Sequence, residues 1–455
     1  MKALLTMLIG SFLLISLATG EQDNDQETAE QRDARMAWWR EARFGMFVHW
    51  GLYSGLAGNW QGNQVQEKGG MEWIQNRVKA DTWSYAHEAV PLFRPNPDFA
   101  KQWARLAKQA GCKYVVFTTK HHDGFSLHDS AVTTYDAMDL VGRDLCREIT
   151  EACRAEGLKV GFYHSVIDWH HHQYDYEAAD ILPHPLKGKP SPNGPRNHTL
   201  YVKHLHQQVE ELMSNYGTVD IAWWDYSKKS AEGPFWQADE LMTMVRKLQP
   251  EIASNNRLYS HTLSEPLSST HGDFSTPEQR IPATGVSGVD WEVCMTMNTT
   301  WGYSEHDHDW KSDKKLIQNL IDIVSKGGNY LLNIGPKGDG TIPEASLKSM
   351  ATIGRWMDVN SESIYGSSAS PFERPEWGRY SMKGEKLYAH VFNWPEDKKL
   401  RITEKRLKPS RAYLLADKDK DLKIDETKDG VVIRLPQTAP DDIASVIVIE
   451  RELGD

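Results

Sequence analysis

The chain has 455 residues, and its 52 lysine and arginine residues against 63 aspartate and glutamate residues give a formal net charge of −11. This negative excess argues against a general nucleic-acid binder, because such proteins hold phosphates with a basic excess. Hydrophobic residues make up 40% of the chain, which with 33 glycines excludes a disordered or fibrous protein. The 17 tryptophans and 17 tyrosines offer flat faces that suit sugar rings as well as core packing.

Residues 1–20 have the pattern of a secretory signal peptide. Lys2 supplies a positive charge, residues 3–18 form an apolar run, and small residues precede a predicted cleavage site before Glu21. The run is shorter than the ~20 residues that span a bilayer. We therefore predict an exported protein, periplasmic or extracellular, or lysosomal in a eukaryote, without a membrane span in its mature form. A retained anchor is the alternative.

The next segment, residues 21–33, is polar and charged and is predicted to be a flexible leader. From residue 34 to 366 the sequence repeats an amphipathic helix, a glycine and a short apolar strand, as in residues 145–164. This alternation favours an α/β fold with parallel strands covered by helices. Seven clear strands predict an irregular (β/α)8-like barrel with one weak strand, and a doubly wound open sheet is the alternative.

After residue 366 the pattern changes to short alternating strands separated by charged turns, for example residues 386–393 and 445–449. Such a pattern is typical of antiparallel sheets packed face to face. Residues 367–455 are therefore predicted to form a C-terminal antiparallel β-sandwich domain.

Polar side chains stand at the predicted strand ends, where (β/α)8 barrels carry their active sites. These residues are His49, His121, His122, Tyr163, His164, Asp225 and Arg257. Asp225 leaves an apolar strand directly after two tryptophans, and a carboxylate in such a place must be paired or hydrogen-bonded. We predict a catalytic role for Asp225, with a salt bridge or a helix cap as the alternative.

Retaining glycoside hydrolysis needs two carboxyl groups about 5 Å apart and no cofactor. With Asp225 as the nucleophile, the proton donor is either Glu278 in the loop 271–279 or Glu292 in a predicted strand. A loop can reach over a ligand, whereas a carboxyl in mid-strand can be purely structural. The pattern therefore favours Glu278 and leaves Glu292 as its rival.

The histidine clusters at 121–123, 170–172 and 306–308 raise the alternative of a metal-dependent hydrolase. None has HExxH spacing, and His121 and His122, as neighbours on a strand, would point to opposite faces. The four cysteines likewise lack zinc spacing and read as small buried residues, with a disulfide as the alternative. We expect no metal and no cofactor.

Five segments of the chain follow one another in the order of a known family. They are WWREARFGMFVHWGLYS, KYVVFTTKHHDGFSLHDS, GTVDIAWWDYS, DFSTPEQ and GGNYLLNIGPKGDGTIPE. Between about Trp38 and Tyr365 they closely resemble the α-L-fucosidases of glycoside hydrolase family 29. The resemblance implies a (β/α)8-like barrel followed by a β-sandwich. It also implies retaining exo-hydrolysis of terminal α-L-fucosyl residues from fucosylated oligosaccharides or glycoconjugates, with a fucose-binding protein that lacks catalysis as the alternative.

The resemblance also assigns roles to single residues. Asp225 matches the nucleophile, and Glu278 matches the acid/base in the family's DFxTxE pattern. The positions that match substrate-binding residues are His49, Glu72, Trp73, His121, His122, Tyr163, His164, Trp224 and Arg257. Trp73 is expected to pack on the apolar side of the sugar. At 163–164 the family more often has Tyr-Tyr, so His164 is a departure from its pattern.

Overall fold

The computed structural model describes residues 27–65, 70–189, 194–260, 271–405 and 407–451. The predicted signal peptide and residues 21–26 lie outside these ranges. The α-helices are α1 (Ala29–Ala42), α2 (Leu52–Leu56), α3 (Ile74–Arg77), α4 (Thr82–Ala89), α5 (Phe99–Gln109), α6 (Ala137–Val141), α7 (Leu145–Ala155), α8 (His198–Asn215), α9 (Ala238–Leu248), α10 (Asp313–Val324) and α11 (Glu344–Asn360). Short 3-10 helices cover Met71–Trp73, Val90–Leu92, Gly233–Trp236, Asn256–Leu258 and Ser361–Ser363.

Eight parallel strands form the first domain. They are β1 (Phe44–Val48), β2 (Tyr114–Lys120), β3 (Lys159–Ser165), β4 (Ile221–Asp225), β5 (Ala253–Ser254), β6 (Phe274–Ser275), β7 (Asp290–Thr296) and β8 (Asn329–Ile334). A separate small hairpin pairs Asn59–Trp60 with Asn63–Gln64. The sheet order is β5-β4-β3-β2-β1-β8-β7-β6.

The two ends of this sheet meet and close it into a barrel. Asn255 and Phe274 form an isolated parallel bridge, and the backbone N–H of Asp273 donates to the carbonyl of Ser254 at 2.6 Å. The prediction of a (β/α)8-like barrel is confirmed, and the open-sheet alternative is wrong. The weak eighth strand is β6, which lies in the segment predicted to be a loop.

Local sequence signals set the helices between the strands. The side chain of Asp144 accepts the backbone N–H of Arg147 at 2.9 Å and so caps the first turn of α7. Ile149 and Cys153 share the face that packs into the core. Gly157 follows the helix with a φ of 73°, a left-handed conformation that glycine adopts at low cost, and the chain turns there into β3.

Alternate strand residues point into the barrel, as the pleat requires. Phe47, Val116, Tyr163 and Trp223 belong to the interior cluster, whereas their strand neighbours pack against the helices. The interior is so tightly filled that a Cβ on Gly45 would stand 2.3 Å from the ring of Tyr114.

Helix α1 closes the amino-terminal end of the barrel. Met36 and Trp39 belong to the interior cluster, and the ring of Trp39 stacks on that of Phe274 at 4.7 Å. Thr28 begins the helix with a capping box in which it exchanges hydrogen bonds with Gln31. The prediction of a flexible leader over 21–33 is therefore wrong for residues 29–33, which are helical.

The charges of this segment have distant partners that the local sequence does not reveal. The guanidinium of buried Arg35 forms an ion pair with Asp273 at 2.7 Å and contacts Glu27 on its other side. Asp273 is fully buried and also accepts from Arg246 at 2.7 Å. A polar segment that reads as disordered is thus held by ion pairs across the closing seam of the barrel.

The C-terminal strands form two antiparallel sheets. They are β9 (Gly378–Lys383), β10 (Lys386–Val391), β11 (Lys399–Ile402), β12 (Pro409–Leu414), β13 (Asp417–Asp421), β14 (Ile424–Thr427), β15 (Gly430–Arg434) and β16 (Ser445–Arg451). The sheet orders are β9-β10-β16-β12-β13 and β11-β15-β14. Their shared core includes Leu387, Leu400, Ile433 and Ile447, which confirms the predicted sandwich architecture.

The cysteines behave as the sequence predicts. All four are buried and free, and no disulfide joins them. Within the described ranges, no helix is long and apolar enough to cross a membrane.

Candidate active site

A pocket opens at the carboxyl-terminal ends of the barrel strands, which is where (β/α)8 barrels carry their active sites. It is lined by Phe47, His49, Glu72, Trp73, His121, His122, Tyr163, Trp223, Asp225, Tyr226, Lys228, Arg257, Glu278, Cys294 and Trp301. Nine of these are residues that the sequence predicts for the site. Three further predicted residues, His164, Trp224 and Glu292, lie elsewhere.

Asp225, the last residue of β4, is held by a donor on each of its carboxylate oxygens. The Tyr163 hydroxyl donates to Oδ2 at 2.8 Å, and Arg257 Nη1 donates to Oδ1 at 2.8 Å. Directly after it, Tyr226 has a φ of 84°, so the chain turns sharply where the strand ends. Asp225 therefore presents a carboxylate of fixed orientation to the pocket.

Arg257 joins the two candidate catalytic carboxyls. It follows β5 in a 3-10 helix, and its Nη2 donates to Glu278 Oε2 at 2.9 Å while Nη1 serves Asp225. Its Nε donates to the Thr276 hydroxyl at 2.7 Å, and its guanidinium lies over the ring of Trp223 at 4.6 Å. One guanidinium therefore holds Asp225 and Glu278 in the same pocket.

The two rivals for the proton donor occupy different places. The side chain of Glu278 is 44% exposed and stands at the pocket mouth, just after β6. Glu292 is fully buried inside the barrel, where it accepts from the Tyr114 hydroxyl at 2.5 Å and from Trp223 Nε1 at 3.1 Å. Burial raises the pKa of Glu292 to about 7. The geometry brings Glu278, and not Glu292, into the pocket with Asp225.

His49 is fixed as a neutral ring with a defined tautomer. Burial lowers its pKa to about 4. The side-chain amide of Asn333 donates to the carbonyl of Trp301 at 2.8 Å, so its oxygen faces His49 Nδ1 at 2.7 Å and accepts the proton there. Nε2 of His49 is then left as a hydrogen-bond acceptor for a ligand hydroxyl.

His122 is held in the same way. The Ser165 hydroxyl donates to the carbonyl of Ile167 at 2.9 Å, so its oxygen accepts the Nδ1–H of His122 at 2.7 Å. Burial lowers the pKa of His122 to about 3, and its Nε2 lies 3.7 Å from Asp225 Oδ2. Two unprotonated imidazole nitrogens, those of His49 and His122, can thus accept hydroxyl protons in the pocket.

His121 and His122 both line the pocket, against the expectation that neighbours on a strand diverge. Strand β2 ends at Lys120 after a shift of register near Thr118, and both histidines lie beyond it. Their ring centroids are 4.1 Å apart, and the ring of His121 stacks parallel to that of Tyr163 at 5.6 Å. Alternation ends where the strand ends, so the turn presents both rings to one side.

Glu72 and Trp73 reach the pocket from the 3-10 helix Met71–Trp73. Glu72 is buried, and its Oε2 accepts the backbone N–H of Gly302 at 3.1 Å. Burial raises the pKa of Glu72 to about 7. The ring of Trp73 packs edge-on against those of His122 and Trp169, at 5.0 and 5.2 Å.

The structure places His164 and Trp224, both predicted to contact substrate, outside the pocket. His164 Nδ1 lies 2.9 Å from the Thr119 hydroxyl, and Trp224 Nε1 donates to the Ser254 hydroxyl at 3.0 Å. Both side chains point out of the barrel, because their strand neighbours point in. The departure from the family's more frequent Tyr-Tyr at 163–164 therefore concerns a side chain that lies outside the pocket.

The sequence reasoning missed six lining residues, namely Phe47, Trp223, Tyr226, Lys228, Cys294 and Trp301. Strand alternation could have found two of them, since Phe47 is two residues before His49 and Trp223 is two before Asp225. Trp301 lies on the loop after β7, where no periodic signal exists. Among the described residues, no group of three His, Cys, Asp or Glu side chains could hold a metal ion.

Comparison with known proteins identifies the family. A family model described as alpha-L-fucosidase matches residues 13–362. The chain belongs to the α-L-fucosidase family. The family resemblance seen in the five sequence segments is thereby confirmed.

Relatives with solved structures and curated relatives are similar to this protein over nearly the full chain. The structure of α-L-fucosidase isoenzyme 1 from Paenibacillus thiaminolyticus is 40% identical with a TM-score of 0.84, and 92% of this chain covers 99% of that chain. Tissue α-L-fucosidase of Homo sapiens is 30% identical over an alignment of 428 positions, which covers 89% of this chain and 86% of the human one.

A third relative bears on mechanism. The family 29 α-L-fucosidase of Bacteroides thetaiotaomicron is 29% identical with a TM-score of 0.81, and 94% of this chain covers 98% of that chain. That structure is a trapped covalent intermediate with 2-fluoro-fucosyl fluoride, obtained with a variant in which one glutamate is replaced by glutamine.

Proposed function

We propose that Asp225 and Glu278 are the catalytic carboxyls of this α-L-fucosidase, a retaining enzyme that removes terminal α-L-fucosyl residues from oligosaccharides or glycoconjugates. The observation that carries the proposal is Arg257, which binds both carboxyls in one pocket at 2.8 and 2.9 Å. Double displacement at a sugar requires two carboxyls that flank the bond to be broken, about 5 Å apart.

In the first step, Asp225 attacks the anomeric carbon while Glu278 donates its proton to the glycosidic oxygen. The carbon–oxygen bond to the leaving group breaks, and its electron pair stays with that oxygen, which Glu278 has protonated. The product is a fucosyl ester of Asp225. Tyr163 and Arg257 hold the carboxylate in place before the attack, so little reorganisation is needed as the bond forms.

In the second step, Glu278 acts as a base. It takes a proton from a water molecule, whose oxygen forms the new bond to the anomeric carbon as the ester bond breaks. Asp225 recovers its negative charge, and the Tyr163 and Arg257 donors stabilise the departing carboxylate. Two inversions give overall retention, and Glu278 ends the cycle protonated, with a proton taken from water.

Sugar recognition falls to neutral and aromatic side chains. His49 and His122 accept hydroxyl protons through Nε2, and Glu72 offers a further polar contact. Trp73 provides a flat face for the apolar side of the ring and its methyl group. Phe47, Trp223 and Cys294 come from the barrel interior and close the floor, which fits a single terminal residue and therefore exo-cleavage.

The nucleophile is tested by trapping. Wild-type protein is incubated with a 2-fluoro-fucosyl fluoride, digested and mapped, and the label is expected on the peptide that contains Asp225. Asp225→Ala should lose at least about a thousandfold in kcat, and azide should restore turnover. A label on any other carboxyl would overturn the assignment.

The proton donor is tested by comparing Glu278→Ala with Glu292→Ala on aryl and oligosaccharide fucosides. Glu278→Ala should lose roughly 10²- to 10⁴-fold on the poor leaving group and far less on the aryl fucoside, with rescue by azide. Glu292→Ala should change both substrates alike. The reverse pattern would transfer the role to Glu292.

We also propose that the protein is exported. Lys2 and the apolar run over residues 3–18 support this. Amino-terminal sequencing of protein recovered from its source is expected to begin at Glu21, and a chain that retains Lys2 would contradict the proposal.

A further inference from the structure

A second groove lies beside the loop that carries Glu278. It runs from the segment after Glu278, along α10, to the edge of the β-sandwich at β9 and β10. Its lining includes Gln279, Arg280, Lys311, Lys314, Lys315 and Arg374. Gln279 is adjacent to Glu278 in sequence, so the groove and the pocket share one loop.

The charge of this groove is opposite to that of the whole protein. Six lysine and arginine side chains line it against two carboxylates, in a chain of net charge −11. Lys311 and Arg379 are occupied: Lys311 donates to the carbonyls of Thr296 and Asn298, and Arg379 pairs with Asp322. These contacts fix the walls of the groove.

The remaining four cationic side chains are not engaged in such contacts. Arg280, Lys314, Lys315 and Arg374 are exposed, and within the described part of the chain none of them forms an ion pair. The acidic residues on the groove do not neutralise them, since Asp322 already pairs with Arg379 and Lys326, and Glu376 is a single exposed carboxylate. Clustered unpaired cations attract anionic ligands.

With Glu278 as the proton donor, the groove lies next to the leaving group, because Gln279, the residue after Glu278, lines it. Glu278 must face the glycosidic oxygen to protonate it, so the chain beyond that oxygen extends past Glu278. Gln279 has a φ of 56° and is anchored by its side chain to Thr296. This turn directs Arg280 and Ile281 away from the pocket and into the groove.

We propose that this groove binds the oligosaccharide to which the fucose is attached, and that it selects chains carrying sulfate or carboxylate groups. The inference rests on the proposed role of Glu278 and extends it to the substrate class. Arg280, Lys314, Lys315 and Arg374 bind the anionic groups, while the exposed parts of Ile281 and Phe392 contact sugar rings. The β-sandwich thereby contributes to substrate recognition.

The test uses four substrates: an aryl α-L-fucoside, a neutral fucosyl oligosaccharide, and the same oligosaccharide bearing either a sulfate ester or a carboxylate. The variants are Lys314→Gln with Lys315→Gln, and Arg280→Gln with Arg374→Gln. KM for either anionic oligosaccharide should rise roughly 3- to 20-fold in each double variant. Values for the aryl and neutral substrates should stay within about twofold, and 0.5 M salt should reduce the difference.

The matched control is Lys203→Gln with Lys247→Gln, which removes the same charge from exposed positions on α8 and α9. It should leave KM for the anionic substrates unchanged. Equal effects on neutral and anionic substrates, or an equal effect of the control, would overturn the proposal. Absence of turnover on every fucoside would instead refute the proposed function. Calorimetric titration of the sulfated oligosaccharide into wild type and the groove variants would then show separately whether the groove binds the anionic chain.

Discussion

The Tyr163 hydroxyl reaches Asp225 from strand β3 and Arg257 reaches it from the 3-10 helix after β5, so each can be removed without disturbing the other. Tyr163→Phe deletes the donor to Asp225 Oδ2 and keeps the ring that stacks on Trp223 at 5.5 Å. We expect kcat/KM to fall roughly 10- to 100-fold, because the carboxylate loses one of the donors that stabilise it when the ester breaks. Steady-state kinetics on an aryl fucoside measure this loss.

A second tyrosine provides the matched control. The buried hydroxyl of Tyr135 has no hydrogen-bond partner in the described structure. Tyr135→Phe should therefore leave kcat/KM and the melting temperature nearly unchanged. If both variants lost activity equally, the effect at Tyr163 would be a packing effect, and not loss of a donor to Asp225.

Glu292 should make stability depend on pH. Its folded-state pKa of about 7 lies above its ordinary value of 4.5, so the folded protein holds this proton more tightly than the unfolded chain. The stabilisation is full below about pH 4.5 and is lost as the pH rises through 7. Glu292→Gln cannot ionise, and the free energy of unfolding of the variant should therefore gain on wild type by on the order of 2 kcal/mol between pH 5 and pH 8.

Urea denaturation at pH 5, 6.5 and 8 measures this difference. Glu72 and Asp123, whose pKa values burial also raises to about 7, remain in both proteins and cancel in the comparison. Parallel stability curves for wild type and Glu292→Gln would contradict the prediction.

Single site residues were predictable from sequence where a reactive or charged side chain stands at the end of a predicted strand. Asp225, Arg257 and the histidines after β2 could be placed because barrel function gathers at that edge. Glu72 and Trp73 lie on a 3-10 helix that is distant along the chain from any barrel strand, so they could be found only through the family resemblance. The tautomers of His49 and His122 depend on contacts distant in sequence, which no local pattern contains.

At the scale of the element, strand β4 makes a paired test. Trp223 points into the barrel, under Arg257, whereas Trp224 points outward to Ser254. Trp223→Phe should lower kcat/KM about tenfold, because the surface on which Arg257 rests shrinks and Glu292 loses a donor. Trp224→Phe should leave kcat/KM unchanged and cost about 1–3 kcal/mol of stability through the lost hydrogen bond and packing.

Kinetics and thermal denaturation of the two variants give the answer together. Loss of activity in Trp224→Phe with wild-type stability would contradict the outward orientation of that ring. The pair is well matched because the residues are neighbours, chemically identical and equally buried.

The longer elements were the most predictable from sequence. The long helices and the strands of five residues or more carry a period that the sequence shows, as β2 and α7 do. Strand β6 has two residues and therefore no period, so the sequence predicts only a loop there. The start of helix α1 differs from the prediction, since the charge of Arg32, which suggests disorder, is neutralised by Asp273 and Asp290 across the barrel.

At the scale of the whole molecule, the sandwich is joined to the barrel through a shared core. Val446 and Val448 of β16 pack into the barrel's hydrophobic cluster, while their neighbour Ile447 faces the core of the sandwich. Trp356 of α11 donates its indole N–H to the carbonyl of Ala444 at 2.9 Å, which adds a hydrogen bond between barrel and sandwich. The sequence revealed two folding patterns but not this interface, because alternation shows which residues share a face and not what covers it.

This shared core predicts that barrel and sandwich unfold together. Val448→Ser removes apolar surface from the interface and should lower the free energy of unfolding by roughly 2–3 kcal/mol. Fucosidase activity should then be lost at the same lower temperature, although residue 448 lies outside the catalytic pocket. Thr427→Ser, an exposed change on β14, is the control and should leave both temperatures unchanged. Calorimetry should show one transition for each protein, whereas a sandwich that melts first while activity persists would show that the barrel is stable without it.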